Sequence, residues 1–242
     1  EVHLRRIWMT WIPAVSVALM TMCGPTVHAA EDRFLAAEGN GRQAQAALVA
    51  AQAFLLHWAE YTAGETTLIA APRDRGVWTV RATGQLYPLL GAAARLTDRE
   101  LFDDLITRMP SEEAALTARL LRLPDDYDLS AGKHVTPSAD PDRIALLSAA
   151  YAHEGLAPIS DIAGQGPWTD RLVALVDDLF TLATVETPFS DGPLPSGSAE
   201  INGHLLCVLP RLAVWTGDEK YLTWARRIGD AYCGGVLPGN RG

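Results

Sequence analysis

The segment 196–232 limits the possible folds of this chain more than any other, because it encodes a complete helical hairpin. Its first half carries apolar residues at helical spacing: Leu205, Leu206, Leu209, Leu212 and Ala213. Gly217 can adopt the left-handed conformation that ends a helix, and Asp218 can cap the next one. The apolar stripe continues in the second half at Tyr221, Leu222, Ala225, Ile228 and Gly229. A hairpin of this kind cannot bury its apolar face alone, so it requires neighbouring units.

Further helical segments precede this hairpin along the chain. The apolar spacing predicts helices over 41–63, 79–95, 98–108, 111–123, 142–154, 170–185, 198–215 and 218–232. Cap residues stand at five of the predicted starts: Asp98, Ser111, Asp170, Ser198 and Asp218. No segment alternates convincingly with a period of two, so no sheet is expected. The sequence therefore predicts an all-α fold of stacked helical hairpins, arranged as a curved array or a closed ring.

The connections between the predicted helices differ in length. Short turns contrast with long loops rich in Gly, Pro and Asp at 64–78, 124–141 and 187–199. If the helices that follow these loops share an inner layer, all three loops lie on one face, and only loop 155–168 lies on the opposite face. Long loops gathered on one rim of a rigid scaffold are where binding and catalytic residues usually lie.

The N-terminal segment has the pattern of a secretory signal peptide. Arg5 and Arg6 precede an uncharged apolar stretch at 7–22, and small residues follow up to a predicted cleavage site near Ala30. We therefore expect residues 1–30 to be removed and the mature protein to be exported, without a membrane anchor. A retained anchor is the alternative, because the apolar run has the length of a short membrane helix.

The remaining residues, 31–242, suit one domain with a substantial core. The formal net charge of the whole chain is −9 and there is no basic cluster, which argues against nucleic-acid binding. Cys207 and Cys233 lie at unequal distances from Gly217, which favours buried free thiols over a disulfide. Because the sequence stops abruptly at Gly242, we expect the domain to be incomplete at its C-terminus.

Three short motifs resemble hairpins of the six-hairpin glycosidase superfamily: Ala-Glu-Ile-Asn-Gly-His at 199–204, Thr-Gly-Asp at 216–218 and Tyr-Leu-Thr-Trp-Ala at 221–225. The resemblance is strongest over 196–233 and looser over 79–185. It implies an (α/α)6 toroid of inner and outer helices, with carbohydrate bound in a funnel at one end. The full ring of that family needs more helices than are predicted here, so the chain would form part of a toroid.

Carboxylates near the predicted loop rim are candidate catalytic groups. Glycoside hydrolysis needs one carboxylic acid to protonate the leaving oxygen and one carboxylate to activate water or attack the sugar. Glu200 opens an inner helix beneath loop 187–199 and is the candidate acid, with Asp142 or Asp191 as the base. Each also has a structural interpretation: Glu200 and Asp142 as first-turn acids favoured by the helix dipole, and Asp191 as a turn residue.

Candidate substrate-binding residues leave two other functions open. Trp78 can stack on a sugar ring and Arg81 can pair with an acidic sugar, although Trp at a helix start also suits a core. Asn202 and His204 supply an amide and a base within one helical turn, as a polysaccharide lyase requires. The other alternative is a helical array that binds a glycan or a protein without catalysis.

Metal and cofactor chemistry have little support in the sequence. Glu200 and His204 are spaced as two ligands on one helix face, but no third ligand has a recognisable spacing, so no metal site is predicted. No phosphate-binding loop or dinucleotide fingerprint is present, so no cofactor is expected. A carbohydrate is the expected partner, and the oligomeric state stays open.

Overall fold

The computed structural model describes residues 30–62, 66–70 and 76–236. The predicted signal peptide lies outside the described residues except for Ala30, and so does part of the predicted loop 64–78. The chain divides into two compact units, Glu1–Phe54 and Leu55–Gly242. The described part of the first unit is helical, and the side chains described there are mostly exposed. Among the described residues, no helix combines the length and apolar content needed to cross a lipid bilayer.

Helices make up most of the described residues, with a few very short strands in the second unit. The helices are α1 (Ala30–Ala59), α2 (Val80–Thr97), α3 (Arg99–Leu101), α4 (Thr107–Thr117), α5 (Pro141–Tyr151), α6 (Ala157–Ala163), α7 (Pro167–Thr181), α8 (Ala199–Thr216) and α9 (Lys220–Ala231), and the π-helical turns are π1 (Phe102–Ile106), π2 (Ala152–Leu156) and π3 (Tyr232–Val236). The strands are β1 (Val77–Trp78), β2 (Ala118–Leu120), β3 (Leu123–Pro124), β4 (Tyr127–Asp128) and β5 (Lys133–His134). The prediction of an all-α fold of stacked helical hairpins is confirmed.

Three helices lie side by side and run in the same direction, and we call them the front layer: α2, the continuous helix 141–163 formed by α5, π2 and α6, and α8. Their direction follows from neighbours that advance together along both helices: Gly84 with Tyr151, Gly91 with Ile159, His153 with His204, Asp161 with Arg211, and Gln165 with Trp215. The layer therefore has one end at which all its helices begin.

A back layer of α4, α7 and α9 packs behind the front layer. Its helices are also parallel to one another, as shown by paired contacts: Glu113 with Arg171, Arg122 with Asp178, Asp177 with Lys220, and Phe180 with Trp224. The chain passes from front to back three times and returns twice, and both layers contribute buried apolar residues to the core. This arrangement agrees with the predicted division into inner and outer helices.

The segments that precede two of the front-layer helices, α2 and α5, meet at the end of the layer where these helices begin. Strand β1 precedes α2 and pairs with β4 from the segment before α5, and β5 completes an antiparallel three-stranded sheet in the order β1-β4-β5. Asp126 also accepts a hydrogen bond from the backbone N–H of Val80 at 2.9 Å. The loops that precede α2 and α5 therefore lie on one rim, as the sequence predicts.

Two of the π-helical turns, π1 and π2, lie where prolines disturb regular helix. Proline lacks an N–H and crowds the carbonyl four residues earlier, which destabilises α-helical hydrogen bonding there. Pro158 crowds the carbonyl of Glu154 inside π2, and Pro110 crowds that of Ile106 at the end of π1. A π turn absorbs the disturbance without ending the helix. The predicted helices over 98–108 and 111–123 are consequently one interrupted helix, and the segment predicted to end at 154 continues to 163.

Several other local predictions were wrong. The described residues include short strands, although no sheet was expected. The sequence did not reveal them because ladders of two or three residues are too short to show alternation. Ser111 and Asp170 lie inside helices, whereas Asp98 caps its helix by accepting from the N–H of Leu101 at 3.0 Å. Two cysteines, Cys207 and Cys233, are free thiols as predicted, but both are exposed because they lie on the outer sides of their helices.

Candidate functional site

Four polar side chains gather on the solvent-facing side of the front layer, and we call them the front-face cluster: Gln85, His153, Glu154 and His204. Gln85 of α2 donates a hydrogen bond from Nε2 to Oε2 of Glu154 at 2.6 Å. His153 and His204 place their Nδ1 atoms 3.0 Å apart. The cluster therefore links all three parallel helices through side chains that remain at least partly accessible to solvent.

The continuous helix 141–163 lies between α2 and α8, and we call it the middle helix. The π turn determines which of its side chains belong to this cluster. His153 and Glu154 both lie in π2, where the wider turn changes the angular spacing of successive residues. As a result, Glu154 reaches towards α2 and its neighbour His153 reaches towards α8. Pro158 is the sequence signal for this distortion, but it does not indicate which partners the two side chains will meet.

The histidine pair has a specific electrostatic setting. Burial lowers the pKa of His153, and the nearby His204 lowers it further because two positive imidazoliums would repel each other. Glu154 acts in the opposite direction, while Arg211 adds to the lowering. These effects favour the neutral form of His153, in which one ring nitrogen can accept a proton.

The three predicted catalytic carboxylates all lie towards the end of the front layer where its helices begin. Glu200 is exposed in the first turn of α8, one helical turn before His204. Asp142 is exposed in the first turn of α5, where Asp140 is the N-cap and accepts from the N–H groups of Asp142 and Arg143. Asp191 is exposed in the loop before α8.

Glu200, Asp142 and Asp191 share one further property. Within the described residues, none of the three carboxylates accepts a hydrogen bond or forms an ion pair. All three are therefore chemically available, in contrast to Asp125 and Asp126, whose carboxylates are both paired with Arg143. The same pairing removes Arg143 from the cations that could meet a substrate.

Trp78 lies in the core, whereas stacking on a sugar requires an exposed ring face. Its side chain is 0% exposed, and its indole Nε1 donates to the hydroxyl of Tyr87 at 2.9 Å. The ring also meets Tyr151 edge-on in an aromatic cluster that includes Trp168. A buried indole has no free face for a sugar, so the structure corrects the stacking interpretation in favour of the core one.

Asn202 and Arg81 also differ in accessibility. Asn202 is 1% exposed and donates from Nδ2 to the carbonyl of Ser196 at 2.8 Å, so its amide holds the entry to α8. Arg81 is exposed in the first turn of α2 and has no ion-pair partner within the described residues. It borders a shallow depression between α2 and α5, lined also by Gln85, Tyr151 and Glu154.

The front-face cluster contains residues that sequence reasoning missed. His153, Glu154 and Gln85 were not candidates, because their meeting depends on the register between α2, the middle helix and α8. His204 was a candidate, but for proton abstraction rather than for contact with a second histidine. In the part of the chain that the structure describes, no group of three or more His, Cys, Asp and Glu side chains is placed to hold a metal ion.

No protein-family model, curated protein or solved structure matches this chain. The functional argument therefore depends on the geometry of the front face and on the chemistry of its side chains.

Proposed function

We propose that this protein hydrolyses a glycosidic bond on the solvent-facing side of its front layer, with Glu200 as the general acid. One observation carries the proposal: two accessible carboxylates, Glu200 and Glu154, lie on neighbouring parallel helices, on either side of the histidine pair. A carboxylic acid that protonates the leaving oxygen and a second carboxylate are the groups that glycoside hydrolysis needs. A shallow depression separates Glu154 from the exposed Arg81 of α2.

The register of the helices favours Glu154 over Asp142 as the second carboxylate. His204 and His153 lie at the same level along their parallel helices. Glu200 is four residues before His204, so it lies at the level of residue 149, which is four residues before His153. At about 1.5 Å per residue, Asp142 is about 10 Å below that height and Glu154 about 7.5 Å above it. Helical side chains lean towards the N-terminus, so along the helix axis Glu154 leans towards the level of Glu200 and Asp142 leans away from it. Across the layer, Glu154 reaches to Gln85 on α2.

The hairpin architecture supports a carbohydrate-binding role of the same site. A layer of parallel helices backed by a second layer is what the resemblance to six-hairpin glycosidases implies, and that family binds carbohydrate in a funnel at one end. We extend the proposal to export of the mature protein, which suits an enzyme acting on extracellular or periplasmic polysaccharide.

The lyase alternative is less well supported by the site. It needs the Asn202 amide to neutralise a uronate carboxylate, but that amide is buried and already donates to the carbonyl of Ser196. A non-catalytic array remains the competing proposal, since exposed carboxylates and a basic side chain beside a depression also suit glycan binding alone.

The test is a screen of the purified full chain against neutral and acidic polysaccharides, read by release of reducing ends. On a substrate that is cleaved, Glu200→Gln and Glu154→Gln should each lower kcat by about 10²–10⁴-fold, the usual contribution of acid–base catalysis. Asp191→Asn and Asp142→Asn, which change carboxylates of similar exposure, should leave kcat within a few-fold. Thermal unfolding of all four variants should match the parent.

Three results would contradict the proposal. Unchanged turnover in Glu200→Gln would remove that residue from catalysis. Products that absorb in the ultraviolet would reveal an unsaturated sugar and hence a lyase. Binding of a polysaccharide without cleavage in any condition would favour the non-catalytic array.

A further inference from the structure

Helix α8 carries a continuous row of apolar residues on the side opposite its buried face. The members recur three or four residues apart, so they line up along about 22 Å of the helix. We call them the α8 row: Ala199, Gly203, Leu206, Cys207, Pro210 and Val214. Leu206 is half-buried and the other members are exposed, Val214 to 81%. An uncharged exposed row of this kind is typical of a protein contact surface.

The α8 row is complementary to itself when read in the reverse direction. Two copies of the helix can lie antiparallel about a two-fold axis that passes between positions 206 and 207. The facing pairs are then Ala199 with Val214, Gly203 with Pro210, and Leu206 with Cys207, each formed twice. Every pair joins a smaller residue to a larger one, which is the condition for close packing of two surfaces. We propose that the α8 row is the interface between two copies of this chain, packed antiparallel about a two-fold axis.

The charges beside the row fit the same arrangement. Glu200 and Arg211 are both exposed on the edge of the row that faces the middle helix, where Arg211 pairs with Asp161 at 3.3 Å. In an antiparallel two-fold pair, equivalent edges of the two helices meet. Glu200 of one copy then lies within two residues, or about 3 Å along the axis, of the level of Arg211 in the second copy. Opposite charges therefore approach each other at both ends of the row.

The interface leaves the front-face cluster beside it. At about 100° per residue, the centre of the row lies about a quarter turn around α8 from His204, which faces His153 on the middle helix. Glu200 borders the row without belonging to it. The inference does not depend on glycoside hydrolysis, because it uses only the exposed side of α8.

The first test is analytical ultracentrifugation of the full chain over a range of concentrations. We expect the parent to show a monomer–dimer equilibrium. Val214→Lys should raise the dissociation constant by about tenfold or more, since it places a charge against the apolar Ala199 of the second copy. The monomer should stay folded, because a lysine in the last turn of a helix suits the helix dipole.

Leu89→Lys is the matched control. Leu89 is an apolar residue of α2, another front-layer helix, and it is 57% exposed. This variant introduces the same charge outside the α8 row, so it should dimerise like the parent.

Chemical cross-linking tests the register of the two helices. In a background that keeps only Cys207, made by Cys23→Ser and Cys233→Ser, the two Cys207 thiols are one residue apart along the axis, or about 1.5 Å. A short bis-maleimide should therefore join two copies covalently. With Cys207→Ser and Val214→Cys in the same background, the two thiols are fifteen residues apart, or about 22 Å, and the reagent should not join them.

Three outcomes overturn the inference. The first is a parent that sediments as a monomer at every concentration, which leaves the row without a second copy. The second is a dimer that Leu89→Lys disrupts and Val214→Lys leaves intact, since the contact then lies on α2. The third is cross-linking through position 214 as efficient as through Cys207, since the helices are then not paired in the antiparallel register.

Discussion

Arg171 donates two hydrogen bonds to Glu113 in the interior of the back layer, from Nε at 2.5 Å and from Nη2 at 2.9 Å. The side chains are only 3% and 0% exposed. Burial alone would lower the pKa of Arg171, but the charge of Glu113 and their hydrogen bond outweigh burial and raise it. Thr117 completes the arrangement by donating its hydroxyl to Glu113 at 3.0 Å. The pair therefore joins α4 to α7 at a point that water does not reach.

Breaking this pair from one side should be strongly destabilising. Arg171→Met leaves the Glu113 carboxylate buried without its cation, and we expect a loss of about 3–5 kcal/mol in the free energy of unfolding. The double variant Arg171→Met/Glu113→Leu removes both charges and should be more stable than Arg171→Met alone. Urea unfolding at pH 7 measures all three proteins.

An exposed ion pair of similar geometry provides the control for Arg171. Arg99→Ala breaks the pair with Asp103, in which the side chains are 72% and 56% exposed. Because exposed pairs contribute little, this variant should unfold at the same urea concentration as the parent. A double variant no more stable than Arg171→Met would show that the cost arises from lost packing rather than from an unpaired charge.

Gly84 and Gly155 mark the closest approach of α2 to the middle helix. A Cβ at Gly84 would lie 2.6 Å from Cδ2 of Tyr151, and one at Gly155 would lie 2.7 Å from the carbonyl oxygen of Gly84. Alanine at either position must push the helices apart, and we expect a loss of about 1–3 kcal/mol. Urea unfolding measures the free energy of unfolding of these variants. Gly203→Ala is the control, because a Cβ at Gly203 meets nothing within 4 Å.

The control Gly203→Ala should raise the stability, whereas Gly84→Ala and Gly155→Ala should lower it. Gly203 lies inside α8, and replacing a helical glycine with alanine stabilises by about 0.5–1 kcal/mol when space allows. If Gly84→Ala were also stabilising, the two helices could not pack as closely as described here. The front-face cluster would then lose the contact between Gln85 and Glu154.

Asp125 should make the protein sensitive to acid. Burial would raise the pKa of Asp125, but hydrogen bonds from Arg143 and Thr136 outweigh burial and lower it. The folded state therefore binds this proton less readily than the unfolded state, whose Asp has a pKa of about 3.9. The resulting stability is fully present above that pH and is lost as the pH falls through the folded pKa.

Asp125→Asn tests that dependence. The variant should be less stable than the parent at pH 6, and the difference between them should shrink as the pH is lowered below about 4. The free energy of unfolding in urea, measured at intervals from pH 6 to pH 3, gives both curves. Asp191→Asn is the matched control, because this exposed carboxylate has no ion pair within the described residues. A constant difference between the parent and Asp125→Asn would contradict the assignment.

Local periodicity and tertiary register differ in how far the sequence predicts them. The helix over 198–215 was predicted within one residue at each end, because its apolar stripe and the following Gly217 are local signals. The meeting of His153 with His204 was not predicted, since it depends on how two helices far apart in sequence align. The strand pair Val77 and Asp128 was missed for a related reason: a two-residue ladder is held by neighbouring loops rather than by its own pattern.

Trp78 and Tyr87 provide a last prediction, which separates a core role from a substrate role. The hydrogen bond from the indole Nε1 to the tyrosine hydroxyl is buried at both ends. Tyr87→Phe leaves the indole N–H without an acceptor, so we expect a loss of about 1–3 kcal/mol. Trp78→Phe also removes ring volume and should cost more. In the double variant no partner is left unsatisfied, so the combined loss should be smaller than the sum of the two single losses.

Urea unfolding of the parent, the two single variants and the double variant measures this coupling. If the two losses simply add, the hydrogen bond contributes nothing to stability, and Trp78 acts only through its volume. Kinetics give an independent check on any polysaccharide that the parent cleaves. Because Trp78 is 0% exposed, Trp78→Phe should leave KM unchanged while the melting temperature falls. A raised KM at unchanged stability would instead require the indole to reach the substrate, contrary to its place in the core.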